Sequence, residues 1–388
     1  MRRELLVSAA PGEWRAALLE DGTPVALRIE RGDGFEAGSV HLGRVARLVP
    51  ALDAALVDIG GERPAFLPQR GIVPRGRRLA EGEPVLVQIR REAQDGKAAQ
   101  LTTDFGEIVD AARRAGAAAP PQRLFPAPTI AAALAGVLPP IAEILVDELW
   151  AVPELRAAFP DAAVRHAPEG EWPLDLDALV EAALAPSITL AQGASVHFVP
   201  TPAAVMIDVD SGSPETGSPA RVALATNLAA AAAIARHIRL RNLAGGIVID
   251  FVGVEQSGAR GRLRAALADA LAADPMAPQI LGWTRLGHLE LVRRRRTRSL
   301  AALLLEPAGG GSIKTAATVA FEALRALRRA MRSEPGRAFR LTVATEVAAA
   351  LAGEARPALA ATEQRFARKI AVTAANCWAR HRFEITPL

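Results

Sequence analysis

Tyrosine is absent from this sequence, cysteine occurs once, at Cys377, and lysine only at Lys97, Lys314 and Lys369. A single cysteine excludes an intrachain disulfide and any zinc site built from a cysteine cluster. It fits a reducing compartment, and the expected location is the cytoplasm. No apolar run approaches the roughly 20 residues that a membrane span needs. The alanine-rich stretches are broken by Arg and His. The start, "MRRELLVSAAPGEW", is basic, but Glu4 interrupts it and its apolar run is too short for a signal peptide. Positive charge rests almost wholly on arginine. The formal balance is only +4, so local clusters must carry any argument for a polyanionic partner.

What is present points to folded structure. Half of the 388 residues are hydrophobic, which excludes global disorder and leaves room for two or three domains with real cores. Residues 1–35 read as two or three strands around a "DG" turn. Between 38 and 103, five short apolar runs split by Gly, Pro and Asp fit a small barrel of the OB type. "AARRAGAAAPPQRLFPAP" reads as a linker or helix end, and a mixed α/β segment follows it.

From about 194 the pattern sharpens. "VHFVPTPAAVMIDVD" predicts a strand pair. "RVALATNLAAAAAIARHIRLRNLAGG" predicts a long helix with Leu224, Leu228, Ala231, Ala235 and Ile238 on one face, stopped by Gly245 and Gly246. "GIVIDFVGV" reads as a strand of a sheet covered on both faces. A second helix, "GRLRAALADALAADP", and a strand pair, "QILGWTRLGHLELVRRR", complete the block. "PAGGGS", at 307–312, reads as a flexible linker before a small C-terminal α/β domain.

Strand, helix, strand between 203 and 252 is a βαβ unit, whose right-handed crossover makes the strands parallel. Asp208 and Asp250 then share the carboxyl edge of the sheet, where open α/β sheets place ligands. Two close carboxylates repel unless a cation lies between them, and Mg²⁺ is held in this way, by one or two carboxylates plus water and phosphate oxygens. The alternative is that each aspartate caps a loop or pairs with an arginine. The runs Arg236 to Arg241 and Arg293 to Arg298 fit phosphate contact, or else a solvated face.

The Asp208 strand, "TNLAAAAAIARHIRLRNLAGGIVIDF" and "RLGHLEL" resemble the catalytic core of the RNase E/G family of bacterial endoribonucleases. "GRVARLVPALDAALVDIGGERPAFLP" and "GKAAQLTT" resemble its inserted OB-fold domain, and "ATEVAAALAG" its small domain. The resemblance implies a multidomain α/β and β protein. An RNase H-like subdomain (1–35 and, with a linker, 106–190) would be split by an OB-fold RNA-binding barrel (36–105). A DNase I-like catalytic core (191–306) and a linker with a small C-terminal domain (307–388) would follow. It implies Mg²⁺-dependent hydrolysis of single-stranded RNA, with Mn²⁺ as a substitute, leaving 5′-phosphate and 3′-hydroxyl ends. By motif position Asp208 and Asp250 match the metal-binding aspartates, with Asp210 as a further candidate ligand. Phe66 and Lys97 match RNA-contacting residues of the barrel; stacking on an aromatic suits single strands. Arg285, Arg239 and Arg241 join the expected RNA contacts.

Departures from the family pattern qualify these expectations. Leu56 stands where a second aromatic is common. About twenty residues separate "QLTT" from "RLFPAP", with no sign of the family's pocket for the RNA 5′ end. "EPAGGGSIK" replaces the zinc-binding Cys-Pro-x-Cys linker, so no zinc is expected and any homo-oligomer forms without a zinc link. Asp210 replaces the family's asparagine, and an arginine upstream of "RLG" falls on Ala277. The expectation is a compact endoribonuclease insensitive to the state of the RNA 5′ end. The alternative is an RNA-binding protein of the same fold with weak or no cleavage.

Overall fold

The computed structural model describes the 388-residue chain apart from residues 32–36, 94–96, 106–118, 213–217, 255–256 and 296. The chain divides into two compact units: residues 1–29 with 134–388, and residues 30–133. Residues 111–118 of the low-complexity stretch, and 106–118 of the short segment between "QLTT" and "RLFPAP", lie outside the described residues.

The first unit begins with a meander, β1 (Arg3–Ala10), β2 (Glu13–Glu20) and β3 (Thr23–Arg31). The β2–β3 turn is the predicted "DG", with Asp21 and Gly22 both at positive φ, as a two-residue hairpin requires.

The second unit is a barrel of β4 (Val40–Val49), β5 (Ala54–Asp58), β6 (Ala65–Pro68), β7 (Pro84–Arg91) and β8 (Gln100–Thr102). The order β4-β5-β6-β8-β7 closes because β7 pairs back onto β4. Val45, Val57, Leu67, Val85, Val87, Ile89 and Leu101 fill it, each at an alternate position of its strand. Gly43 is needed on β4: a Cβ there would stand 2.5 Å from a Val57 methyl and 2.8 Å from the Asp58 carbonyl. The expected linker contributes a strand instead, β9 (Gln122–Phe125), which pairs with β4.

Back in the first unit, β10 (Glu143–Val146) runs parallel to β1, and β11 (Ala163–His166) parallel to β10, giving the order β11-β10-β1-β2-β3. The next sheet takes β12 (Ser187–Thr189), β13 (Ser195–Pro200), β14 (Ala204–Asp210), β15 (Gly245–Asp250), β16 (Gln279–Trp283) and β17 (Leu289–Arg293), in the order β12-β13-β14-β15-β17-β16. The helices Pro219–Leu240 and Ser257–Leu271 cover one face of it. Ala230, Ala231, Ile234, Ala235 and Ile238 form the buried helix stripe, which keeps Ala231, Ala235 and Ile238 of the predicted face, while Leu224 is only partly buried and Leu228 is exposed. The small side chains let the helix lie close to Ile207, Ile247 and Ile249.

Three expectations are corrected here. The long helix is stopped by Asn242, not by the glycines. Asn242 has φ +53°, and the Leu243 N–H reaches back to the Ile238 carbonyl at 2.9 Å, a Schellman closure that asparagine tolerates. The sheet is covered on one face only: on β14, Val205, Ile207 and Val209 are buried while Met206, Asp208 and Asp210 are exposed. The apolar run of β15 misled because Val248 is a partly exposed residue of the open face. Residues 307–312 form a hairpin, not a flexible linker: β18 (Leu305–Ala308) pairs with β19 (Gly311–Lys314) across Gly309 and Gly310, both at positive φ.

The chain ends in an α/β layer. β20 (Phe339–Ala344) lies between β21 (Ala371–Ala375) and β22 (Phe383–Pro387), packed against the helices Ala316–Ser333, Thr345–Ala352 and Arg356–Phe366. No helix among the described residues is long and apolar enough to cross a membrane.

Candidate active site

The parallel pairing of β14 with β15 sets Asp208 directly opposite Asp250 at the carboxyl ends of both strands. Parallel neighbours are about 4.8 Å apart and partnered residues share a face, so the two carboxylates stand side by side on the open face. Both are exposed. Among the described residues, neither lies within ion-pair distance of an arginine or lysine. The one charged-group neighbour is His288, whose Nε2 is 3.6 Å from Asp250 Oδ2.

Asn227, the asparagine of Thr-Asn-Leu, fixes the end of β15. It is 1 % exposed, its amide donates to the Val252 carbonyl at 2.8 Å, and its Oδ1 accepts from the Val252 N–H at 3.1 Å. This two-way bond ties the long helix to the chain two residues beyond Asp250. Phe251, 5 % exposed, adds an apolar anchor next to it and meets Trp283 at 6.2 Å between ring centres. The Arg260 guanidinium lies 5.3 Å from the Trp283 ring centre.

Asp210 is exposed, two residues along β14 on the same face. Its Oδ1 accepts from the Gly212 N–H at 2.9 Å, the bond of an aspartate-capped turn. Arg285 is exposed in the β16–β17 turn, at the carboxylate edge. Ala277 precedes β16 and so lies at the opposite edge, away from the pair.

Two of the expected RNA contacts are corrected. Arg239 is 6 % exposed, and both of its terminal nitrogens bond Glu20 at 3.1 Å. Arg241, also 6 % exposed, stacks 4.1 Å from the Phe198 ring centre and donates to His237 Nδ1 and the Ala185 carbonyl. Both guanidinia are used inside the fold and cannot reach a phosphate. Burial, then Arg241 and Arg236, hold His237 down to about 3, so it stays neutral and can accept. In the second run Arg293 is buried on Asp274 at 2.6 Å, at the edge opposite the carboxylates.

In the barrel Phe66 is half-buried on the outer face, across from Leu56 on one side and Gln100 on the other. The interior position of that strand belongs to Leu67. Lys97 is exposed.

The two aspartates could be named from sequence through the strand-helix-strand order. Asn227 lay in a quoted motif without a role. His288 and Trp283 also lay in quoted stretches, "RLGHLEL" and "QILGWTRLGHLELVRRR", without a role, since only the β16–β17 turn and register bring them to this edge.

The Ribonuclease E/G family profile matches residues 85–296, and the thioredoxin-like domain profile of the same family matches 307–388. The first match alone spans more than half of the chain. This chain belongs to the Ribonuclease E/G family. It is similar to Ribonuclease G of Salmonella typhimurium, 25 % identical over an alignment of 486 positions that covers 99 % of both proteins. It is also similar to Ribonuclease E of Haemophilus influenzae, 27 % identical over 94 % of this chain and 50 % of that protein. Ribonuclease E of Nostoc sp. is 40 % identical over a shorter stretch, 35 % of this chain and 20 % of that protein.

The donor set at the carboxylate edge suits a hard divalent cation. Two exposed carboxylates side by side repel by about 1 kcal/mol at about 4 Å in water, and a shared cation relieves that repulsion. Among the described residues no cluster of three His, Cys, Asp or Glu side chains closes around a point. A site of two carboxylates leaves the remaining positions to water and phosphate oxygens, as Mg²⁺ favours.

Proposed function

We propose that this chain is a compact, metal-dependent endoribonuclease that cuts single-stranded RNA in the cytoplasm and leaves 5′-phosphate and 3′-hydroxyl ends. The in-register pair Asp208 and Asp250, met by no arginine or lysine among the described residues, carries the proposal. These two residues would hold Mg²⁺, with Asp210 one row away as a further oxygen donor. A divalent ion bound there supplies Lewis acidity toward a phosphodiester and a more acidic water. Asn227 keeps the Asp250 strand end in place, so the carboxylates need little reorganisation to take up the charge. Arg285, exposed and without a carboxylate partner among the described residues, would contact an RNA phosphate.

The barrel's strand order, first-second-third-fifth-fourth and back to the first, supports an OB-fold assignment. Phe66 would stack on a base and Lys97 would meet the backbone. We assign the β11-β10-β1-β2-β3 sheet as RNase H-like and the β12–β17 sheet with its helices as the DNase I-like core. The alignment to Ribonuclease G runs 486 positions against 388 residues here, so segments of that relative have no counterpart. With only about twenty residues between "QLTT" and "RLFPAP", the reading is a protein that does not sense the RNA 5′ end. Any homo-oligomer would form without a zinc link.

The test is cleavage of one single-stranded RNA carrying either a 5′-hydroxyl or a 5′-monophosphate, with Mg²⁺ and with chelator. Similar rates on both substrates, lost with chelator, are expected. Strong stimulation by the monophosphate would overturn the 5′-end reading. Absence of cleavage, with binding that depends on Phe66, would leave an RNA-binding protein.

A further inference from the structure

The outer face of the barrel carries a row that crosses four strands. Arg47 of β4 stands opposite Leu56 of β5, Leu56 opposite Phe66 of β6, and Phe66 opposite Gln100 of β8. Partnered residues share a face, and the interior positions beside them belong to Val45, Val57, Leu67 and Leu101. The row therefore points outward.

A bulge sets Arg47 in it. The β4–β5 register pairs Val45 with Val57 and Arg47 with Leu56, which leaves Ala46 as the extra residue. Without that residue, alternation from the inward Val45 would turn position 47 into the core. Bulges re-aim side chains in this way, and here the side chain brought out is a guanidinium.

That guanidinium is uncommitted. Arg47 is exposed and has no hydrogen-bond or ion-pair partner among the described residues. Arg44, exposed on the same strand, donates instead to the Gly82 carbonyl at 2.9 Å. Leu56, half-buried between Arg47 and Phe66, offers an apolar floor without a ring. Two strand spacings, about 10 Å, separate the Arg47 and Phe66 backbones, so their planar groups stand as neighbouring platforms. Bases of single-stranded RNA stack on arginine planes as they do on aromatic rings. A lysine ammonium, a compact point charge, does not replace that plane.

We propose that Arg47 is a second base-stacking residue of the barrel, taking the nucleotide next to the one on Phe66. The inference rests on the barrel being an RNA-binding domain.

The test is fluorescence anisotropy of the full chain, with chelator, on an oligouridylate of about ten nucleotides and on its abasic counterpart. Arg47→Ala and Arg47→Lys should each weaken binding to the oligouridylate, by about tenfold and about fivefold. On the abasic strand the lysine variant should match wild type, since phosphate contact needs only the charge. Arg44→Ala, which removes an exposed charge from the same strand, should lose less than about threefold on either strand. Urea midpoints equal to wild type would show that each variant is folded. Wild-type affinity of Arg47→Lys for the oligouridylate would overturn stacking, as would equal losses on both strands. Weakening by Phe66→Ala but not by Arg47→Ala would overturn the role of Arg47 and leave the barrel reading standing. No binding of either strand by wild type would overturn both.

Discussion

Two sheets of the first unit end in carboxylates, and the fold treats them in opposite ways. Beyond β10 stand Asp147 and Glu148. Asp147 is 3 % exposed, accepts from Ser8 Oγ at 3.0 Å and the Ala9 N–H at 2.7 Å, and has Arg328 at 3.9 Å. Glu148 bonds Arg328 and Arg332. Arg325 bonds Glu13, and Arg329 bonds Glu169 at 2.8 Å and Asp177 at 2.6 Å. Positions 325, 328, 329 and 332 fall on one face of the helix Ala316–Ser333, whose other face carries Val319, Ala320, Ala323, Leu324 and Leu327 into a core. One helix thus supplies four guanidinia to one carboxylate cluster. At the end of β14 and β15, among the described residues, no helix does so: Asp208 and Asp250 stay exposed and have only His288, beside Asp250, as an ion-pair neighbour. The chain is rich in arginine, yet among the described residues no arginine forms an ion pair with Asp208 or Asp250, and this separates the edge from the structural ion network.

Breaking the locked cluster should have the largest effect. Arg328→Met leaves Asp147 without its neighbouring guanidinium and Glu148 with Arg332 alone, in a buried setting, and should cost about 3–5 kcal/mol in urea unfolding. Equal stability of variant and wild type would show that the network is dispensable. Next comes the reverse exchange, which brings a guanidinium to the open pair. Met206→Arg places one on the same face, two residues from Asp208, and should weaken divalent-cation binding about tenfold, at the 1.4 kcal/mol that such a factor represents. Calorimetry checks this, and unchanged affinity would count against an electrostatic origin for the site. Asn227→Ala strands two backbone groups beyond β15 and should cost about 1–3 kcal/mol while also slowing cleavage.

The smallest effect is in pH. His237 is held down to about 3 by burial and by Arg241 and Arg236, against an ordinary value near 6.5. Its unfolded form takes a proton first, so the stability of neutral His237 is complete above about pH 6.5 and is lost as pH falls toward about 3. Roughly 1 kcal/mol per pH unit is expected in that window. Urea midpoints for wild type and His237→Phe between pH 7 and 5 should diverge in slope; parallel curves would contradict the neutral imidazole.

The contrast between the two edges explains what was legible in the sequence. Asp208 and Asp250 could be placed together because a βαβ crossover has a fixed hand and a common edge. Whether arginines would meet them could not be read, since Arg239 and Arg241 sit on the same helix crossover and turn inward to Glu20 and Phe198. Those partners are fixed by packing between segments some two hundred and some forty residues apart. His288 lay in the predicted strand pair, but its approach to Asp250 depends on the pairing of β17 with β15, which the local pattern does not encode. The barrel, by contrast, was plain from its short runs, because alternate inward residues are all that closing five strands requires.

A paired assay of Asp250→Asn and Asp147→Asn tests the central claim most directly, with RNA cleavage and urea stability read on each. Asp250→Asn should lose cleavage by about a hundredfold or more, the size typical of removing one preorganised electrostatic group. Its stability should stay within about 0.5 kcal/mol of wild type, as for an exposed substitution. Asp147→Asn should do the opposite, losing stability while its folded fraction keeps cleaving. Normal cleavage by Asp250→Asn, or loss of cleavage by a fully folded Asp147→Asn, would contradict the assignment of the open edge as the site.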